Sequence, residues 1–222
     1  VREHPAKYSD NLITHIGMIV SEYQPDSILD PMAGVGTIAR LRGTGFKGRI
    51  VAHELEREWA EQTPLTVKAR VGNAEDMSWA DDGEFGAIIT SPTYGNRMAD
   101  HHNARDGSRR YTYRHMLGRP LTEGNTGMLQ WGKKYRQAHV RIWQECLRVL
   151  RPGGLFVLNM KDHIRGGELK RVTAWHVEVF KRLGMVVREV QTVYAPGMRH
   201  GANRDARLDT EYLVVMTKGE RK

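Results

Sequence analysis

The chain has 222 residues, 40% of them hydrophobic, which is long enough for one α/β domain with a substantial core and short for two. A formal charge of +8 favours a polyanionic partner, because counterion release and long-range steering attract nucleic acid and do nothing for a neutral metabolite. The single cysteine, Cys146, excludes an internal disulfide and a multi-cysteine zinc site, and it falls in an amphipathic helical pattern that would bury it. No apolar run reaches the roughly twenty residues of a membrane span and no secretory-signal layout opens the chain, so the expectation is a cytoplasmic protein with no membrane contact.

Leu12, Ile13, Ile16, Ile19 and Val20 recur at helical spacing after Ser9 and Asp10, which predicts an opening helix. Short apolar runs follow at 27–30, 49–54, 68–73, 86–90, 154–160, 185–193 and 211–217, with helical patterns in the first five intervals. The last of these helices is marked by Leu169, Val172, Trp175, Val179, Phe180 and Leu183 and closed by Gly184. Only turn-like residues separate the final two strands, so they form an antiparallel pair, since a parallel crossover needs a helix. The fold class is α/β: a mostly parallel seven-stranded sheet with an antiparallel last strand and helices on both faces, in a single domain over 1–222.

Two stretches break the pattern. Residues 95–132 form a basic insertion carrying Arg97, Arg105, Arg109, Arg110, Arg114 and Arg119 with Tyr111, Tyr113 and several histidines. Residues 195–210, with Arg199 and Arg204, form a second basic loop. Loops at the C-terminal strand ends of such a sheet gather at the ligand face. His101 and His102 beside Asp100 could suggest a metal, but nothing requires one and no metal is expected.

Gly34 and Gly36 allow a tight turn and close approach of the backbone to a ligand, with helical amides from Thr37 onward pointing at it. Residues 34–39 satisfy a dinucleotide pattern with Ala39 in third place, so a nicotinamide dehydrogenase is one reading. Against it, Pro31 and Met32 separate the strand from the glycines, and Asp30 suits a cofactor that carries an ammonium group.

The segment Asp30-Pro31-Met32-Ala33-Gly34-Val35-Gly36-Thr37 resembles the first motif of class I S-adenosylmethionine-dependent methyltransferases, whose fold is Rossmann-like. The resemblance implies that Glu54 holds the ribose hydroxyls and that Asn73 and Ala74 meet the adenine, Asn73 standing where the family has an acid. His4-Pro5-Ala6-Lys7-Tyr8 is similar to a further cofactor-contacting motif of DNA amino-methyltransferases. Ser91-Pro92-Thr93-Tyr94 resembles that family's catalytic Ser-Pro-Pro-Tyr, with Thr93 in place of the second proline. A base amino group is a poor nucleophile because its lone pair is delocalised. The resemblance implies that Ser91 Oγ and the Pro92 carbonyl accept its hydrogens and draw it toward pyramidal geometry, while Tyr94 stacks on a flipped base.

The implied activity is methylation of an exocyclic amino group of DNA, first N4 of cytosine and next N6 of adenine. An RNA base amino-methyltransferase and a cofactor-binding nucleic-acid-binding protein without turnover are the alternatives. Arg97, Arg109, Arg110, Arg199 and Arg204 are candidates to hold phosphates or read guanine edges, and Tyr111 and Tyr113 to stack or wedge. Restriction-modification, phage protection and regulation stay open as settings, as do monomer and homodimer.

Overall fold

Ser9 starts the first helix: its Oγ accepts from Leu12 N, and Leu12, Ile13, Ile16, Ile19 and Val20 line one buried face of α1 (Asp10–Tyr23). The computed structural model describes residues 4, 7–95, 112–195 and 208–219. Four short strands follow, β1 (Ser27–Asp30), β2 (Arg49–Glu54), β3 (Lys68–Val71) and β4 (Phe85–Thr90). A 3-10 helix at Thr37–Thr44 and the one-turn α2 (Arg57–Ala60) connect the first three. After the tip come α3 (Tyr113–Leu117), a 3-10 turn at Thr126–Met128 and α4 (Lys133–Val149), then β5 (Leu150–Met160). A small antiparallel hairpin, β6 (His163–Arg165) and β7 (Glu168–Lys170), precedes α5 (Val172–Arg182), and β8 (Met185–Tyr194) and β9 (Thr210–Lys218) complete the chain.

The seven long-range strands form one sheet in the order β3-β2-β1-β4-β5-β9-β8. All neighbours are parallel except β9, which runs antiparallel between β5 and β8. This is the Rossmann-like class I methyltransferase fold. β1 and β4 are buried along their whole length because helices cover both faces, which is why they read as continuous apolar runs. Alternate residues serve opposite cores: Ile28, Ile50, Ala87 and Val157 pack toward α1, while Leu29, Val51, Ile88 and Phe156 pack toward α4 and α5. Cys146 is fully buried in the second core as a free thiol. Among the described residues no helix is long and apolar enough to cross a membrane.

Four local expectations are corrected or refined. The interval between β3 and β4 holds turns and no helix, with Met77 and Ala80 filling the core directly. Leu169 belongs to β7, so the helix begins at Val172. Gly166 and Gly167, at φ 61° and 76°, make the two-residue turn that pairs β6 with β7. The helix after the glycine turn is a 3-10 helix, ended by Gly45 at φ 97°. Part of the 95–132 insertion is folded: Tyr113, Leu117 and Leu121 are buried against Trp59.

Candidate active site

The C-terminal ends of β1, β2 and β4 open onto a cavity of about 830 Å³, the size class of small-molecule and cofactor sites. At its floor the glycine turn bends as the sequence requires. Gly34 and Gly36 have φ 56° and 71°, and a Cβ on Gly36 would stand 2.7 Å from Thr63 Cγ2. Pro31, Met32, Ala33, Gly34 and Thr37 line the cavity, and Gly36 is the N-cap of the 3-10 helix that begins at Thr37.

Two buried carboxylates face this floor. Asp30 accepts from Met32 N at 3.2 Å and from the Tyr8 hydroxyl at 3.3 Å. Burial nonetheless pushes its pKa up to about 7. Glu54 accepts from Gly34 N at 2.8 Å and from Glu56 N at 2.9 Å, so it ties β2 to the glycine turn; burial raises it to about 7 as well. Gly72, Asn73 and Ala74 form the next stretch of wall, with Asn73 Oδ1 accepting from Glu75 N at 2.9 Å. His4 and Lys7 line the rim, the His4 ring lying 4.3 Å from that of Trp59 and 5.4 Å from that of Tyr113. Tyr113 is thus placed in the wall beside Trp59, in a buried aromatic group.

The motif at the end of β4 lies in the same cavity, which Ser91, Thr93 and Tyr94 line, while Pro92 is buried beneath. Ser91 Oγ and the Tyr94 hydroxyl are 2.8 Å apart, and Asn159 Nδ2 reaches both at 3.3 Å. The same amide donates to Glu211 at 2.9 Å, and Lys161 Nζ stands 3.8 Å from that carboxylate. Burial raises the Tyr94 phenol well above its ordinary value, so it stays protonated as a hydrogen-bonding group.

Sequence reading missed Asn159, Lys161 and Glu211. Asn159 had a signal, because it is a lone amide in the apolar strand β5, one strand over from Ser91. It also missed a clasp. Glu56, wholly buried, accepts from Arg119 at 2.7 Å, from Thr122 N and Oγ1 at 2.8 Å each, and from Asn125 Nδ2 at 2.8 Å. Arg119 also pairs with Glu58 through Nε at 2.7 Å. Arg119 is thus engaged in holding the fold: it pins the segment whose Gly124, Asn125 and Thr126 roof the cavity. Pro5, Arg97, Arg109, Arg110, Tyr111, Arg199 and Arg204 lie outside the described residues, as do His101 and His102. Among the described residues no group of three or more His, Cys, Asp or Glu is placed to hold a metal ion.

Residues 85–222, more than half of the chain, match the profile of the N6_N4_Mtase family, described as DNA methylase. No curated protein matches significantly. Among solved structures, an S-adenosylmethionine-dependent methyltransferase from Methanosarcina mazei superposes with a TM-score of 0.59 at 12% identity, covering 97% of this chain and 100% of that one. A Haloferax volcanii methyltransferase in complex with the Trm112 methyltransferase activator gives 0.56 at 16% identity, with 89% and 83% covered. TrmN from Thermus thermophilus gives 0.53 at 16% identity, covering 93% of this chain but only 48% of that one. At these identities the likeness is one of fold.

Proposed function

Because the chain belongs to the N6_N4_Mtase family of DNA methylases, an S-adenosylmethionine-dependent enzyme, we propose that it methylates an exocyclic amino group of DNA, N4 of cytosine first and N6 of adenine next. The observation that carries this reading is the placement of Ser91, Tyr94 and Asn159 at the end of the cavity whose floor holds Asp30 and Glu54.

The residues present fit the cofactor. Asp30 is a buried carboxylate that, among the described residues, has no cationic hydrogen-bond partner, which suits an ammonium group. Glu54, one strand away, offers acceptors to ribose hydroxyls. The missing side chain of Gly34 lets the His4 ring close over the turn, since any Cβ there would stand 3.0 Å from it. Asn73 keeps a second lone pair on Oδ1 and a free amide hydrogen for an adenine edge. His4, Lys7, Tyr8, Pro31, Met32, Ala33, Thr37 and Ala74 complete the cradle. When bound, the cofactor supplies an electrophilic sulfonium methyl.

At the tip, Ser91 donating its hydroxyl hydrogen to Tyr94 leaves a lone pair on Oγ for one hydrogen of the base amine, and the Pro92 carbonyl takes the other. These two acceptors would hold both amine hydrogens and leave the nitrogen lone pair available toward a bound methyl donor, and the surplus proton of the methylated amine would pass to solvent without a strong base from the protein. The Tyr94 ring walls the base, while Lys161 and Glu211 face its remaining edge. Arg97, Arg109, Arg110, Arg199 and Arg204 are proposed phosphate or base-edge contacts, with Tyr111 beside them; Tyr113 is proposed as wall rather than wedge.

The test is incubation with labelled S-adenosylmethionine and separate DNA and RNA pools, followed by nucleoside mass spectrometry. N4-methylcytosine in DNA supports the reading, and N6-methyladenine keeps the mechanism with the other base. Label in RNA alone, or none despite cofactor binding, refutes it.

A further inference from the structure

Behind the tip lies a group of polar side chains that no step above uses. Tyr135, His139 and Trp143 repeat every four residues along α4, and His176 faces them from α5; all four are fully buried and none lines the cavity. Burying two imidazoles and a phenol costs free energy unless their hydrogen bonds are made. Here three of those bonds run in one direction. Trp143 Nε1 can only donate, and it does so to His176 Nδ1 at 2.9 Å. Burial holds His176 neutral, so its single hydrogen sits on Nε2, which faces the Tyr135 hydroxyl at 3.1 Å. That hydroxyl must then send its own hydrogen onward, to the Thr93 carbonyl at 2.6 Å. His139 stacks on the Tyr135 ring at 3.9 Å and keeps it in place.

The chain of donors ends at the residue where this tip departs from the family motif. A proline at 93 would fix φ covalently. Thr93 lacks that restraint, yet it is held from two sides, by Tyr135 at its carbonyl and by Thr126 Oγ1 at its hydroxyl, 3.0 Å away.

Resting on the catalytic role proposed for the tip, we infer that Trp143, His176 and Tyr135 are positioning residues for methyl transfer. Together with Thr126 they fix the torsions of Thr93 and so aim the Pro92 carbonyl, replacing by hydrogen bonds the restraint that a second proline would impose. The chain acts on the transition state more than on cofactor affinity, because every link is outside the cofactor cradle.

The experiment is saturation kinetics on unmethylated genomic DNA, with cofactor affinity by calorimetry, for wild type, Tyr135→Phe, Thr93→Pro and the double variant. Tyr135→Phe should lower kcat about tenfold and leave the Kd for S-adenosylmethionine unchanged. Thr93→Pro should recover part of that loss in the Tyr135→Phe background, a pattern that simple destabilisation does not produce. Unchanged kcat in Tyr135→Phe, or no rescue by the proline, overturns the role. If Tyr135→Phe does not fold, Trp143→Phe, which frees His176 to move its hydrogen to Nδ1, should lower kcat at constant Kd; constant kcat there overturns it equally. Wild-type protein that binds the cofactor and methylates no DNA refutes the function itself, and the positioning role with it. Turnover that survives the tyrosine change refutes the positioning role alone.

Discussion

Asp30 should make cofactor binding depend on pH. The residue is 1% exposed, and burial lifts its pKa from an ordinary 3.8 to about 7, so the free enzyme carries it largely protonated below neutrality. The native state therefore binds more protons than the unfolded chain between those two values. The corresponding stability is present at low pH and is lost as pH rises toward about 7. Ammonium binding demands the ionised form and runs the other way, since the proton must leave before the ion pair forms. For one such proton, affinity at about pH 5.5 should be roughly thirtyfold weaker than at about pH 8.5, close to 2 kcal/mol. Glu54, raised to about 7 by the same cause, adds to the slope if ribose hydroxyls prefer its anion. Calorimetric titration of S-adenosylmethionine across that range gives the slope. Methylthioadenosine, which lacks the amino-acid end, separates the two groups: it should lose the Asp30 contribution and keep that of Glu54. Asp30→Asn should flatten the slope for the whole cofactor by the same amount. A Kd independent of pH, or identical slopes for the two ligands, would refute the assignment of Asp30 to the ammonium.

Ser91→Ala should leave cofactor Kd within about twofold and lower kcat by about a hundredfold, as expected for an acceptor used in the transition state; an equal loss of binding would remove Ser91 from that role. Glu56→Gln keeps the side-chain shape while weakening four hydrogen bonds to a buried charge, so the melting temperature should fall and cofactor Kd should rise, by about tenfold, because the roof at Gly124–Thr126 loosens. An altered melting temperature with unchanged Kd would show that the clasp does not shape the cavity. Gly36→Ala forces an L side chain into φ 71° with its Cβ against Thr63, and should cost about 1–3 kcal/mol of stability by chemical denaturation; shortening Thr63 to Ser should recover part of it, and no recovery would locate the strain elsewhere.

The sheet, the glycine turn and the tip were legible because each is written locally. Strand runs such as Phe85–Thr90 announce a fully buried strand, and Gly34 and Gly36 are the residues a left-handed turn needs. The Gly166-Gly167 pair was an equally local hairpin signal, overridden by the helical spacing of Leu169 with the residues after it. The clasp had no such signature. Glu56 and Arg119 are 63 residues apart, and nothing near either one marks the other as its partner. The same holds for His176, whose meaning depends on Trp143 and Tyr135 arriving from another helix. The arginines of the insertion read alike in sequence, and only burial of Glu56 tells Arg119 from the rest.

One short segment, residues 119–126, joins what the chain otherwise keeps apart. Its arginine and threonine grip Glu56 beside the cofactor cradle, and six residues after Pro120 the Thr126 hydroxyl meets Thr93 in the tip. Retargeting such an enzyme to a new base is therefore not a local edit: any redesign that shifts this segment to admit a different substrate also retunes its hold on the methyl donor, so selectivity and cofactor economy have to be optimised as a single trait.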